Sequence, residues 1–245
     1  MVELTTTALR QTPLRRGAAS AADRISVLLV DDHTLIRQGV RVLLQAEADI
    51  VVVGEAEDGR QAVEMTLRLH PEVVVMDIAM PLLNGLEATR QILAALPTTR
   101  VLVLSAHSDE EYVERVTALG AAGYVLKQSS LHDLATAIRT ARAGRIYVSP
   151  SIVRHPRQKA DGTPGRRGAI ALPARLSSRE AEVLQLVVEG KANKQTAAEL
   201  GISIKTVEKH RNGLMQKLDI HDVAGLVRYA IAVGNIEGRD RSPLS

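Results

Sequence analysis

Five polar side chains in the first half of the chain come directly after short apolar runs. The runs ISVLLV, VVVM, VLVL and GYVL are followed, in that order, by Asp31 and Asp32, Asp77, Ser105, and Lys127. In an open parallel sheet, ligands bind outside the carboxyl ends of the strands. Packing does not explain acids at such positions, whereas a divalent metal ion together with a phosphoryl group explains all five residues.

The three acids suit magnesium, because this ion prefers oxygen ligands and keeps several waters, so that one or two carboxylates are enough to hold it. Asp32 and Asp77 are predicted as direct ligands, and Asp31 would orient water or the ion. Asp77 is then the nucleophile that takes up a phosphoryl group. Ser105 offers a hydroxyl, and Lys127 a positive charge, to the phosphoryl oxygens.

Each of these residues also has an ordinary explanation when it is taken alone. An acid or a serine after a strand is usually a turn residue or a helix cap, and a lysine there is usually solvated surface. His33 could be a metal ligand, but no second histidine lies near it, and it is interpreted as a residue at the start of a helix. The site requires that Asp77 lies close to Asp31, Asp32 and Lys127, and within reach of solvent.

The pattern around these residues predicts an α/β fold. Five Val-rich runs are continuous rather than alternating, which indicates parallel strands that are buried on both faces. Segments with helical spacing lie between them. The alternation predicts a five-stranded, doubly wound parallel sheet with right-handed crossovers. The strands are expected at residues 25–30, 50–55, 73–76, 101–104 and 123–126.

Composition narrows the class of protein. The 245 residues allow two domains, and the chain contains no cysteine, which excludes disulfides and thiolate metal sites. No run of 18 uncharged apolar residues predicts a membrane span. The net charge is −4 over residues 24–150, +5 over residues 151–175 and +1 over residues 176–236. The acidic first half suits a cation, and the basic charge before and within the second half suggests an anionic partner.

The second half changes to a helical pattern. Four short helices are predicted, the first capped by Ser177 or Ser178, the third by Ser203, with a sharp turn at Gly201 between the second and third. This is a helix-turn-helix pattern, which is a weak signal alone. The predicted divisions are a flexible leader (1–23), the sheet domain (24–146), a Pro- and Gly-rich linker (147–174), the helical domain (175–237) and a tail (238–245).

The motifs DDH (31–33), MDIAMPLLNG (76–85), LSAHS (104–108) and GYVLK (123–127) closely resemble the receiver domain of bacterial two-component response regulators, which has a flavodoxin-like fold. The resemblance implies that Asp77 accepts a phosphoryl group from a histidine kinase. It implies that Mg²⁺ is held by Asp31, Asp32, Asp77 and the backbone carbonyl of Ala79. It also implies a switch pair, in which the Ser105 hydroxyl moves toward the phosphate and the Tyr124 ring follows inward, while Lys127 pairs with the phosphate.

Residues 176–218 resemble the LuxR/NarL-type helix-turn-helix, with SIKTVEKHRNGLMQKL as its recognition helix. An α-helix fits the major groove of DNA. The predicted base contacts are Glu208, Lys209 and Asn212, and the predicted phosphate contacts are Lys194, Lys205, Thr206 and Arg211. The predicted anchors of this helix are Ile204, Val207, Leu214 and Leu218. The final helix offers Val223, Leu226, Val227, Ala230 and Ile231 either as a dimer face or as ordinary core.

Together these resemblances imply a cytoplasmic response regulator of the NarL/FixJ type that binds double-stranded DNA, forms a homodimer when phosphorylated and has no membrane partner. It is not expected to be a turnover enzyme, although slow autodephosphorylation is compatible with the site. A phosphatase of the haloacid-dehalogenase type needs a second acid two residues after the nucleophile, where this chain has Ala79. The alternative is a phosphorylation-independent regulator or interaction module with a vestigial receiver, against which the intact set of site residues speaks.

Overall fold

The structure is a computed structural model that describes residues 24–106, 110–129, 131–153 and 176–232. The predicted leader and tail, and most of the predicted linker, lie outside these residues. Within them, no helix is both long enough and apolar enough to cross a bilayer.

Six parallel strands form one sheet in the order β2-β1-β3-β4-β5-β6. The strands are β1 (Ile25–Val30), β2 (Ile50–Ala56), β3 (Val73–Asp77), β4 (Arg100–Ser105), β5 (Gly123–Leu126) and β6 (Tyr147–Val148). All five predicted strands are found within one residue of their expected bounds. The strand order reverses between β1 and β3, and this is the point at which doubly wound sheets bind ligands.

Helices cover both faces of the sheet. In this first domain they are α1 (Thr34–Gln45), α2 (Gly59–Leu69), α3 (Gly85–Ala95), α4 (Glu110–Ala118), α5 (Leu131–Arg142) and the short α6 (Pro150–Val153). Helices α1 and α5 pack on one face, and α2 and α3 on the other. Along β1, Val27 and Leu29 enter the first core, while Leu28 and Val30 enter the second. Because successive side chains point to opposite faces and both faces are covered, the strands read as continuous apolar runs.

The sixth strand falls inside the segment predicted as linker. Strand β6 pairs with β5, and the next residue, Ser149, donates its backbone N–H to the carbonyl of Tyr124 at 3.0 Å and accepts the N–H of Leu126 on its Oγ at 3.1 Å. Ile152 of α6 is buried in the core cluster that contains Tyr124. The packed chain therefore continues past residue 146, which a two-residue strand is too short to signal by periodicity.

The second domain consists of α7 (Ser178–Val188), α8 (Asn193–Leu200), α9 (Ile204–Leu218) and α10 (Val223–Ala232) around one core. Ser177 caps α7 in a capping box with Glu180, so the first of the two predicted cap residues is correct. Gly201 ends α8 with a φ of 63°, and the Ser203 side chain accepts the Thr206 N–H at the start of α9. These caps set the sharp turn between α8 and α9.

One predicted anchor of α9 is wrong. Val207 and Leu214 are fully buried, and Leu218 packs against the same core, but Ile204 is 44% exposed. At 3.6 residues per turn, Ile204 lies about 60° around the helix from Val207, which turns it out of the buried stripe. Met215 and Ile220 pack against the core as well.

The final helix takes the core role for two of the residues that the sequence left open. Leu226 and Ala230 of α10 are fully buried in the domain core. Val223 and Ile231, on the same helix, are exposed. The apolar residues of α10 therefore include both core residues and exposed ones.

Candidate functional site

The residues singled out in the first domain meet at one edge of the sheet. Asp31 and Asp32 follow β1, Asp77 is the last residue of β3, Ser105 is the last residue of β4, and Lys127 follows β5. The strands are in register there: Val30 is opposite Met76, Asp77 opposite Leu104, and Ser105 opposite Leu126. The polar residues at the ends of four neighbouring parallel strands therefore lie together at the carboxyl edge of the sheet.

Lys127 forms a bridge between two of the acids. Its Nζ lies 2.8 Å from Asp77 Oδ2 and 2.9 Å from Asp31 Oδ2. Burial lowers the pKa of Lys127, but the charges and hydrogen bonds of Asp77 and Asp31 together raise this pKa above its ordinary value. The ammonium group therefore stays charged and offsets one of the acids.

Asp77 is buried, with only 3% of its surface exposed. Burial raises the pKa of Asp77 to about 6; Lys127 opposes this effect and the charge of Asp31 adds to it. The Ile78 N–H donates to Asp77 Oδ1 at 2.8 Å and fixes the carboxylate. Solvent reaches the cluster beside Asp32, whose side chain is 32% exposed. Asp77 itself is therefore less accessible to water than the sequence-based prediction required.

The donor set fits a divalent cation. Asp31, Asp32, His33 and Asp77 each offer a ligand atom, and these atoms all lie within 4.8 Å of one another. Three carboxylates and one ammonium leave an excess of two negative charges when all are ionised, which a divalent ion would neutralise. Ala79, the predicted backbone ligand, lies in the turn two residues beyond Asp77.

The loop after Asp77 is held closely against the end of the strand. The Gly85 N–H donates to the Ile78 carbonyl at 2.8 Å, and a Cβ at Gly85 would lie only 1.8 Å from the carbonyl oxygen of Asp77. Any other residue at position 85 would force α3 away from the site. Within the loop, Leu82 adopts a φ of 65°, which is uncommon for a residue with a side chain.

The predicted switch pair lies next to this cluster, on the inside of the domain. Ser105 is buried, and its carbonyl accepts the backbone N–H of Lys127 at 2.7 Å. Tyr124 is fully buried in a core cluster with Ile78 and Leu86. The ring is thus already turned inward, which the resemblance had assigned to the phosphorylated state.

The predicted DNA contacts lie on the exposed side of the second domain. Lys194, Lys205, Glu208, Lys209 and Asn212 are all exposed. The other two predicted contacts, Arg211 and Thr206, form hydrogen bonds within the domain. Arg211 donates to Asn193 Oδ1 of α8 at 3.1 Å, and the Thr206 hydroxyl lies 2.8 Å from the Ser203 hydroxyl at the helix start.

The two domains touch through residues that the sequence did not single out. Asn84 Nδ2 donates to Gln185 Oε1 of α7 at 3.4 Å, and Arg90 donates to the Ser178 hydroxyl at 3.0 Å. Leu82 packs against the core of the helical domain. A surface leucine, an asparagine cap and a glutamine carry no sequence signal of such a role, because the contacts join positions about 100 residues apart.

Family comparisons agree with both halves of this architecture. Residues 27–139 match the model of the response regulator receiver domain, and residues 174–230 match that of the bacterial regulatory proteins of the luxR family. A receiver joined to a LuxR-type helix-turn-helix defines the class of DNA-binding response regulators.

Relatives match along nearly the whole chain. The transcriptional regulatory protein DegU of Brevibacillus brevis is 35% identical over 229 residues, covering 89% of this chain and 97% of DegU. LiaR of Bacillus subtilis is 39% identical over 207 residues, covering 84% and 96%. A solved structure of Salmonella typhimurium RcsB superposes with a TM-score of 0.52 at 28% identity, covering 86% of this chain and 99% of RcsB. The chain belongs to the NarL/FixJ family of two-component response regulators.

Proposed function

We propose that this response regulator is switched by magnesium-dependent phosphoryl transfer from a histidine kinase to Asp77, and that the switch controls DNA binding by residues 176–232. The observation that carries this proposal is the geometry around Asp77. Its carboxylate is grouped with two further acids and bound by Lys127 at 2.8 Å. An acid that is buried, paired and shifted in pKa is a strong candidate for chemistry.

The residues of the site divide the transfer between them. An Asp77 oxygen attacks the phosphorus of the kinase phosphohistidine, a P–O bond forms as the P–N bond breaks, and the electron pair of the P–N bond stays on the imidazole nitrogen. Asp31, Asp32, Asp77 and the Ala79 carbonyl would hold Mg²⁺, which when bound neutralises charge on the phosphoryl oxygens.

Two further residues of the chain would receive the new group. Lys127 moves its pairing from the Asp77 carboxylate to the phosphoryl oxygens, and the Ser105 hydroxyl donates to another of these oxygens. No acid stands two residues after Asp77 to move a proton in repeated turnover, so the aspartyl phosphate is a signal rather than an intermediate in an enzyme cycle.

The contacts between the domains offer a route for the signal. The loop that follows Asp77 contains Leu82 and Asn84, and both touch the helical domain. A hydrogen bond contributes about 1 kcal/mol, whereas reversing a population from 1:99 to 99:1 takes about 5.5 kcal/mol. In the described residues, a third hydrogen bond between the domains runs from Arg60 to the Glu199 carbonyl at 2.7 Å. Three hydrogen bonds and one leucine are thus weak enough for a phosphoryl charge to outweigh, and we propose that phosphorylation loosens them.

The helical domain would act as a dimer on DNA. The predicted base-contacting side chains are exposed while the domains touch, so the proposed control acts on domain position and pairing rather than on covering these side chains. Val223 and Ile231, two exposed apolar residues of α10, are the proposed dimer contact. One solved structure similar to this chain is of RcsB dimers bound to DNA, at 27% identity and a TM-score of 0.52. Paired recognition helices would read half-sites one DNA turn apart. Because its proposed DNA partner lies in the bacterial cytoplasm, we propose that the protein acts there.

One observation favours a second candidate, a regulator that acts without phosphorylation. With 3% exposure, Asp77 is reached by a phosphodonor only if neighbouring groups move. The experiment is incubation of the full chain with Mg²⁺ and acetyl phosphate, followed by intact-mass measurement. A gain of one phosphoryl group in the wild type and in Asp219→Asn, but not in Asp77→Asn, supports the main proposal. No gain in any of the three favours the second candidate.

A further inference from the structure

His33 has the position of a helix cap but not its contacts. Helix α1 begins at Thr34, and the side chain of His33 makes no capping hydrogen bond. Instead, its backbone N–H donates to Asp31 Oδ1 at 2.8 Å. The ring Nδ1 lies 2.8 Å from Asp32 Oδ1 and 3.3 Å from Asp31 Oδ1. The imidazole is thus turned toward the acids, on the side of the cluster that solvent reaches.

The spacing of the four ligand atoms suits one ion. In an octahedral shell, metal–ligand bonds of about 2.1 Å place two ligands of one ion about 3 Å apart when adjacent and about 4.2 Å apart when opposite. The ligand atoms of Asp31, Asp32, His33 and Asp77 all lie within 4.8 Å of one another, which is close to the separation that ligands of one ion require. The His33 side chain is 62% exposed and can turn without disturbing the core.

Lys127 does not compete for the same atoms. It contacts Oδ2 of Asp31 and of Asp77, whereas His33 faces Oδ1 of Asp31 and of Asp32. An ion held on the His33 side therefore does not require the ammonium to leave. A neutral imidazole adds a donor without adding charge, so the excess negative charge of the cluster still matches a divalent ion.

We propose that His33 is a nitrogen ligand of the receiver metal site and sets its selectivity, allowing first-row transition ions such as Mn²⁺ and Ni²⁺ to compete with Mg²⁺. This inference rests on the proposed metal-binding function of the acid cluster. Magnesium prefers an all-oxygen shell, whereas imidazole strengthens the binding of transition ions, Ni²⁺ more than Mn²⁺. Any ion that binds here also offsets the charge of the carboxylates, so the choice of ion bears on phosphorylation.

The test compares the full-length wild type with His33→Asn and the matched control His70→Asn. Asn is a preferred helix-capping residue, so His33→Asn is expected to keep the start of α1. His70 is exposed in the same domain and has a φ of 47°, which Asn tolerates. Mn²⁺ is added as a spin probe, and pulsed electron paramagnetic resonance detects nitrogen bound directly to it. Calorimetry measures the affinities for Ni²⁺ and Mg²⁺.

The expected result is nitrogen coupling to Mn²⁺ in the wild type and in His70→Asn, and none in His33→Asn. The ratio of Ni²⁺ to Mg²⁺ affinity should fall by about tenfold or more in His33→Asn alone. Mn²⁺ that binds, is displaced by Mg²⁺ and shows no nitrogen coupling would overturn the role of His33 and leave the magnesium site intact. Absence of Mn²⁺ and Mg²⁺ binding in every variant would instead remove the metal site itself, and with it both proposals.

Discussion

The two candidate sites of this protein are built in opposite ways. At the receiver site, Asp77 is buried, shifted in pKa and held by two hydrogen bonds. On the side of α9 that is proposed to face DNA, the side chains of Lys205, Lys209 and Asn212 are exposed. Chemistry at a single atom gains from burial, because electrostatic interactions are stronger away from water. Recognition of a DNA duplex needs many accessible groups, each of which contributes a modest part of the binding free energy. Single mutations should therefore have larger effects at the receiver site than on the proposed DNA-binding surface.

The largest effect on stability is expected for Lys127→Met. The substitution leaves Asp31 and Asp77 facing each other without the ammonium between them. Removing one partner of a buried ion pair costs about 3–5 kcal/mol, and this loss should appear in urea denaturation at pH 7.5. Added Mg²⁺ should restore part of it. A loss equal to that of Lys205→Met, at an exposed position, would show that the receiver cluster is no more sensitive than the DNA-facing surface.

Asp77→Asn is expected to stabilise the protein, and in a pH-dependent way. The pKa of Asp77 is raised from 3.8 to about 6 in the folded state, so between these values the folded protein holds a proton that the unfolded chain has lost. The wild type therefore loses stability as pH rises through this window, and the variant does not. The variant should be more stable by about 3 kcal/mol above pH 6 and equal below pH 4. A constant difference across this range would contradict the assigned cause.

On the DNA-facing surface, Lys209→Ala and Asn212→Ala should each weaken binding to a specific operator by about 1–3 kcal/mol, and binding to random DNA by less. The operator is first obtained by selecting bound fragments from the host genome. Lys205→Ala is the matched control, because a phosphate contact should weaken binding to both DNAs equally. Equal losses for Lys209→Ala would mean that it too touches only the backbone.

The smallest effect is expected at the contact between the two domains. Gln185→Ala removes the hydrogen bond to Asn84, which is worth about 1 kcal/mol, and should raise the operator affinity of the unphosphorylated chain about fivefold. The phosphorylated chain should change little, since its contact is already loosened. Gln38→Ala, at an exposed position of α1, is the control. A rise of the same size in both phosphorylation states would place the effect in the DNA-binding domain itself.

The strands, and the grouping of the acids at their ends, could be predicted from the sequence because both follow from the pattern of neighbouring residues. A continuous Val-rich run predicts a buried parallel strand, and the polar residue after the run is predicted to lie at the carboxyl end of that strand. This holds for Asp31 after β1 and for Asp77 at the end of β3. The prediction failed where an element is too short to show a pattern, and where the direction of a side chain depends on tertiary packing. Strand β6 has only two residues, and Ile204 is apolar but is turned about 60° away from the buried stripe of α9.

His33 marks the boundary between the two kinds of information. Its place at the start of a helix could be read from the chain, and the structure confirms it. The direction of its ring, toward Asp32 rather than along the helix, depends on where the strand end and the helix meet.

By itself, the sequence determined the fold class, the identity of the acids and the helix-turn-helix, because periodicity, caps and strand ends are properties of neighbouring residues. Only the tertiary structure decided that Lys127 bridges Asp31 and Asp77, that Asp77 is almost enclosed, and that Asn84 meets Gln185. Distances between residues that are far apart in the chain arise from the packing of whole elements, and burial and pKa follow from those distances.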